Sequence, residues 1–269
     1  MKKQSALSEA MKSIFNIAVF VIVFILALVV YYKVMGDPAN FQGNNPENHP
    51  MKGNLLGTIY KGGFIVPLLM TLAVVTLVFF VERYITITIA KGKGNMVNFI
   101  SDIKVMVAEG KLDEAMTRCD KQKGSLANVL RAGIKRYKEM KEDKVMTKDQ
   151  KIVSIQKELE EASALETPML SKNLVILSTN SSIGVLVGLI GTVLGMIKAF
   201  SALATAGAPD SVALSTGISE ALINTALGII TSTLSIIFYN VFNTMIDGIT
   251  YRIDEAGFTI VQSFAANEK

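Results

Sequence analysis

The chain has 269 residues, half of them hydrophobic, with 27 Lys and Arg against 23 Asp and Glu and a formal net charge of +4. A single Cys and a single His exclude an intrachain disulfide and an all-cysteine metal site, and leave almost no material for a Ser/His hydrolase or an HExxH zinc enzyme. The apolar residues form long runs and the basic ones gather in one segment interleaved with acids, so the charge reads as membrane topology and not as a nucleic-acid surface.

Lys2, Lys3 and Lys12 precede an apolar stretch, Ile14 to Tyr32, broken only by Asn16. Its length and the absence of a small-x-small site after it favour an uncleaved span over a signal peptide. Residues 33–61 collect Pro38, Pro46, Pro50, Gly36, Gly43, Gly53 and Gly57, a composition predicting an exterior loop without helix. A second span is expected over 62–90, with Pro67 in its first turns, Glu82 and Arg83 closing its apolar part and Tyr84 at the inner interface. Tyr31, Tyr32 and Tyr60 would mark the outer interface.

Residues 91–172 have soluble character and helical periodicity. One apolar pattern runs through Val97, Ile100, Ile103, Val107, Leu112, Ala115 and Met116, and another through Leu126, Val129, Leu130, Ile134 and Tyr137. Gly110 and Gly124 read as helix ends. A third helix starts at Thr147, carries Ile152, Ile155, Leu159, Ala162 and Leu165 on its apolar edge, and is expected to end or bend near Pro168. The charged faces of these helices read as solvated surface. Three Lys or Arg precede the first span, three (Lys33, Lys52, Lys61) occupy the first loop, and eighteen lie between Arg83 and Lys172, which puts the large segment in the cytoplasm.

Two further spans are expected within 173–246, joined by a short exterior turn, Gly207 to Asp210, with Asp210 or Ser211 as cap. At about 1.5 Å per residue the first of them overruns a bilayer core of about 30 Å. Gly184, Gly188, Gly191 and Gly195 share one stripe of that span with Thr192 at its edge, a pattern for close helix packing. Lys198 is expected to snorkel to the outer interface. In the last span, 100° per residue gathers Glu220, Asn224, Thr225, Gly217, Ala221, Gly228, Thr231, Ser232 and Ser235 on one arc, opposite Leu222, Ile223, Leu227, Ile229, Ile230, Leu234, Ile236 and Ile237, a face that can meet lipid or bulky neighbours. A carboxylate within a span costs roughly 2.5–3.5 kcal/mol on insertion scales, so it marks a functional position facing the bundle interior. From about Asp247 the tail, 247–269, returns to the cytoplasm as a polar helix.

These elements define an all-α integral membrane protein with four spans, a cytoplasmic helical domain between the second and third, and both termini inside. Thr192 and Thr225 have two readings, as hydroxyls of a pore or as donors to the carbonyl one turn back. Glu220 likewise either shapes an ion route or sits in a wet vestibule, with desolvation and a cationic neighbour pulling its protonation in opposite directions. Asn224 could join that network or pair across subunits. No constellation of catalytic or metal-binding residues is present, so neither an enzyme nor a cofactor is expected.

The blocks Leu189-Ile190-Gly191-Thr192-Val193-Leu194-Gly195-Met196-Ile197 and Gly217-Ile218-Ser219-Glu220-Ala221-Leu222-Ile223-Asn224-Thr225-Ala226-Leu227-Gly228, followed by Phe238-Tyr239-Asn240, resemble the signature of the ExbB/TolQ/MotA proton-channel family, closest to ExbB. The run Ala108 to Ala115 and the pair Glu82-Arg83 are similar to further family motifs, and the resemblance extends over residues 62–257. It implies a three-span core in a pentamer around two single-span partner helices of the ExbD/TolR kind, in the bacterial inner membrane. Proton flow would be coupled to motion that, with a TonB-like protein, energises outer-membrane transport. The alternatives are envelope maintenance of the TolQ kind, a gliding or flagellar-type stator, and a non-conducting scaffold. By the same resemblance Thr192 and Thr225 correspond to pore threonines and Glu220 to the last-span glutamate. The sequence departs from the family in lacking a proline before the glycine block, in carrying Ser232-Thr233-Leu234 where Ala-Ile-Pro is common, in Asn224, and in the additional first span.

Overall fold

The computed structural model describes residues 17–204 and 211–268. The basic residues Lys2, Lys3 and Lys12, the start of the first span and the turn from Gly207 to Asp210 lie outside the described residues. Those described up to Phe80 together with Ile176–Phe238 form one compact unit, and Val81–Val175 with the residues from Tyr239 onward form another.

The first unit holds the apolar helices. Helix α1, Ile17–Met35, closes on a π turn, Val30–Met35, in which Gly36 N donates to Tyr31 O at 2.9 Å. This turn carries the helix beyond the expected end at Tyr32. The following loop contains two 3-10 turns, Pro38–Asn40 and Gln42–Asn44, and, against the expectation from its composition, a short helix α2, Leu55–Tyr60. Its order comes from two asparagines. Asn40 Nδ2 donates to Val34 O and Met35 O at the end of α1, whereas Asn54 caps α2 through Gly57 N and donates to Asn40 Oδ1 at 2.9 Å. These side chains supply partners that a helix or sheet would otherwise provide.

Helix α3, Ile65–Ala90, follows a turn at Gly62 and Gly63, with Pro67 in the first turn, where amide donors lack intrahelical partners anyway. Its residues Val66, Leu69, Leu72, Val75 and Phe79 are buried, and Phe20 of α1 stacks near Phe79 with ring centroids 6.4 Å apart. The last two apolar helices are α8, Leu174–Ala204, and α9, an unbroken helix over Ser211–Asn267 with no proline to kink it. Among the described residues, four stretches are thus long and apolar enough to cross a membrane: Ile17–Met35, Ile65–Ala90, Lys148–Ala204 and Ser211–Asn267. Leu222, Ile229, Ile230, Leu234, Ile236 and Ile237 on one side of α9 are exposed, as lipid-facing residues of an integral membrane protein should be, whereas Ile223 and Leu227 of the same expected face are half-buried.

The second unit packs four helices, α4 (Met96–Ala108), α5 (Leu112–Gln122), α6 (Gly124–Glu142) and α7 (Lys148–Ser171), with the end of α9. Phe99, Ile103, Val107, Val129, Leu130 and Ile155 are fully or almost fully buried, and Phe264 of α9 meets Tyr137 edge to face at 4.8 Å. The tail therefore belongs to the same compact unit as the inserted helices. Helix α7 begins with a capping box: Gln150 N donates to the Thr147 hydroxyl and Thr147 N to Gln150 Oε1.

Four expectations need correction here. Val97 is exposed and Phe99 takes its place in the core, because Phe99, Ile103 and Val107 form one i, i+4 row of α4 and Val97 falls outside it. Leu165 is exposed as well. Pro168 does not end α7, which continues three residues further, to Ser171. Nor are all charges solvated. Lys151 is buried against Glu268, and the buried Arg83 pairs with Glu82 and donates to Leu170 O at 3.2 Å.

Candidate functional site: the α8–α9 seam

Helices α8 and α9 approach so closely that neither backbone leaves room for side chains at the contact. A Cβ added at Gly195 would lie 2.7 Å from both Ala221 N and Gly217 O, and one at Gly217 would lie 2.7 Å from Ala199 N. Farther along the seam, a Cβ at Gly228 would meet Gly184 O at 2.6 Å and one at Gly188 would meet Asn224 O at 3.0 Å. At Gly191 the space is filled by Asn224, whose Cγ would stand 2.7 Å from an added Cβ. The glycines of both helices thus make a backbone-to-backbone seam, the geometry small residues permit within membranes.

Polar groups are set into this seam. The hydroxyls of Thr192 and Thr225 contact each other across it, and each also lies 3.2 Å from a carbonyl of its own helix, Thr192 from Gly188 O and Thr225 from Ala221 O; with one proton apiece, one hydroxyl donates across the seam while the other donates to its own helix. The pore reading and the back-bonding reading are therefore not exclusive in geometry, because one hydroxyl can donate while accepting. Both threonines are half-buried.

Glu220 is buried, and both its carboxylate oxygens accept from Lys198 Nζ, at 2.7 and 2.9 Å. The Lys198 side chain is 60% exposed, and its ammonium turns back to the buried carboxylate. A carboxylate held within a span costs far less when it is paired, and α8 delivers the ammonium directly across the seam. Asn224, one turn on, is fully buried and donates to Gly62 O at 2.8 Å. Its Oδ1, like the hydroxyl of Ser232, has no partner among the described residues.

A third cluster has no counterpart in the sequence reading. Asn180 Nδ2 donates to Thr76 Oγ1 at 3.2 Å and to Leu72 O at 3.3 Å, and the Thr76 and Ser235 hydroxyls are 2.8 Å apart. All three side chains are buried, so α3, α8 and α9 are tied by hydrogen bonds where hydrophobic driving force between helices is weak. The signal was an asparagine inside an apolar run, Asn180, which carries the same meaning as Asn224.

Beside Thr192, the face of α8 that includes Met196, Ile197 and Phe200 borders an open groove of about 580 Å³. The remaining singled-out residues lie elsewhere. Cys119 is buried in the second unit, where desolvation pushes its thiol up to about 12, and His49 sits in the loop before α2. Among the described residues no group of three His, Cys, Asp or Glu side chains could hold a metal ion.

A family model described as the MotA/TolQ/ExbB proton channel family matches residues 121–255. A biopolymer transport protein of Synechocystis sp., ExbB-like 3, is 34% identical over 89 residues, 32% of this chain and 42% of the relative. The Tol-Pal system protein TolQ of Pseudomonas aeruginosa is 31% identical over 115 residues, 43% of this chain and 50% of the relative. The biopolymer transport protein ExbB of Pseudomonas putida is 31% identical over 103 residues, 38% of this chain and 31% of the relative. The chain spans half or less of the length of these relatives.

Proposed function

The chain belongs to the MotA/TolQ/ExbB proton channel family, and from that membership we propose that it is a subunit of a proton-motive-force-driven motor in a bacterial inner membrane. It works as a homo-oligomer, a pentamer by family precedent, around an ExbD/TolR-like pair of single-span helices, and it energises TonB-dependent outer-membrane transport. The second unit lies in the cytoplasm. The observation that carries this reading is the hydroxyl pair Thr192–Thr225 within a glycine-lined seam of two apolar helices. Such hydroxyls can orient water or meet a partner's carboxylate. The groove beside Thr192 offers an apolar seat for a partner helix. One charge moving through 100 mV releases roughly 2.3 kcal/mol, enough to bias a step of a ring against its partner.

The test is proton flux in vesicles containing the chain co-expressed with the single-span protein encoded beside it. Thr192→Val and Thr225→Val should assemble and lose most of the flux. A parent complex that assembles and moves no protons would leave the scaffold as the better reading, and intact assembly with unchanged flux in both variants would remove the two threonines from the route.

A TolQ-like role in envelope maintenance is the second reading, favoured by the longer match to TolQ, 115 residues. Deletion separates the two: loss of energy-dependent uptake at the outer membrane supports the TonB role, and a leaky envelope with normal uptake supports the TolQ role.

A further inference from the structure

The first span and its loop stand outside the family's three-span core, yet they reach the polar arc of α9. The Gly62–Gly63 turn, which connects α2 to α3, lies directly on Glu220 and Asn224. Gly62 O accepts from Asn224 Nδ2 at 2.8 Å. A Cβ on Gly63 would overlap Glu220 Oε1 and lie 2.9 Å from its Cδ, so the carboxylate occupies the room that the missing side chain leaves. Gly63 also has φ +76°, a conformation that resists any other residue. Lys198 holds the same carboxylate from the α8 side.

What holds the turn is the additional span. The Tyr31 hydroxyl donates to Tyr60 O at 3.0 Å, two residues before Gly62, and the Tyr31 and Tyr60 rings stack with centroids 4.7 Å apart. Tyr31 is buried with Met35 and Val66, and Leu227 of α9 packs against the same cluster, so this tyrosine is not the interfacial belt residue that its place in the sequence suggests. A Cβ on Gly36 would meet the Tyr60 ring at 2.7 Å, which shows how closely the end of α1 fits that ring.

We propose that α1 and its loop are a positioning strap: through Tyr31 and Tyr60 they press the Gly62–Gly63 turn onto α9, and Gly63 with Lys198 fixes where the Glu220 carboxylate sits. This rests on the reading of Glu220 as part of the ion route. Gly63 and Tyr31 act through Glu220 and touch no ion themselves, so they are positioning residues.

Matched pairs of variants in the full complex test the strap. Gly63→Ala is compared with Gly53→Ala, since Gly53 has φ +78° and nothing within 4 Å of an added Cβ; the two pay the same backbone strain, but only the first displaces Glu220. Tyr31→Phe is compared with Tyr32→Phe, which removes the neighbouring hydroxyl. The readout is proton flux per assembled complex, normalised to thermal stability. Gly63→Ala should lose at least about tenfold in flux relative to Gly53→Ala, and Tyr31→Phe severalfold relative to Tyr32→Phe, at matched stability. Flux in Gly63→Ala equal to that in Gly53→Ala overturns the strap, as does a Tyr31→Phe defect that tracks stability alone. A parent complex that moves no protons overturns the proposed function instead, and the strap's role with it.

Discussion

Lys198 on α8 and Glu220 on α9 form an ion pair in which one ammonium serves both carboxylate oxygens, at 2.7 and 2.9 Å. The pair is lopsided, because the side chain of Lys198 is 60% exposed and that of Glu220 only 9%. Removing the lysine strands a buried carboxylate, whereas removing the glutamate leaves an ammonium that can reach solvent or headgroups. Lys198→Met should therefore destabilise the chain by about 3 kcal/mol, the low end for breaking a buried pair, and Glu220→Gln by clearly less. Unfolding in detergent measures both, and equal losses would contradict the asymmetry.

The seam makes opposite predictions for two glycines. At Gly195 an added methyl would sit 2.7 Å from backbone atoms of α9, and backbone cannot swing aside as a side chain can. Gly195→Ala should push the helices apart and cost about 1–3 kcal/mol. Gly248, also in a helix interior, has nothing within 4 Å of an added Cβ. There the helix propensity of alanine acts alone, and Gly248→Ala should gain about 0.8–1 kcal/mol. Thermal unfolding of the two variants against the parent decides the matter, with a neutral Gly195→Ala as the outcome that would reject a tight seam.

The division of α9 into a buried polar arc and an exposed apolar one was legible in its sequence because a helix repeats every 3.6 residues, and the glycine stripe of α8 for the same reason. Partners across helices were not legible. Nothing in the spacing of Lys198 and Glu220, 22 residues apart along the chain, says that one turns toward the other; that follows only once the glycines set the helix separation. The loop before α3 failed differently. Its prolines and glycines do signal turns, but its order depends on Asn40 and Asn54 reaching residues that only the fold brings near. Tyr31 illustrates a third limit: a tyrosine at the end of a span reads as a belt residue until the loop returns Tyr60 to stack on it.

Cys119 is expected to be chemically silent in the folded chain. Burial pushes its thiol up to about 12, and the thiolate is the nucleophile, so at pH 8 only on the order of one part in ten thousand is reactive. Alkylation by iodoacetamide at pH 8 should be about 100-fold or more slower than in denaturant. Comparable rates in the two states would mean that the α5 core opens readily.

Asp143 supplies the clearest pH dependence outside the membrane helices. Its Oδ1 accepts from Val145 N at 2.7 Å and Met146 N at 2.8 Å in the turn between α6 and α7. These donors, Met146 first, hold its carboxyl below the ordinary value of 3.8, with Lys151 and Arg136 adding to the effect. The sign follows from linkage: a carboxylate whose folded value is depressed contributes stability above its unfolded value, and that contribution is lost as pH falls from about 3.8 through the lower folded value. Above pH 5 the turn should be insensitive to acid. Amide exchange across residues 143–147, corrected for its intrinsic pH dependence, should rise as pH drops from 5 to 3 in the parent. In Asp143→Asn the neutral amide still accepts but does not titrate, so protection should be weaker at pH 5 and flat across the range. A parent whose corrected exchange is equally flat would show that these two hydrogen bonds do not hold the turn.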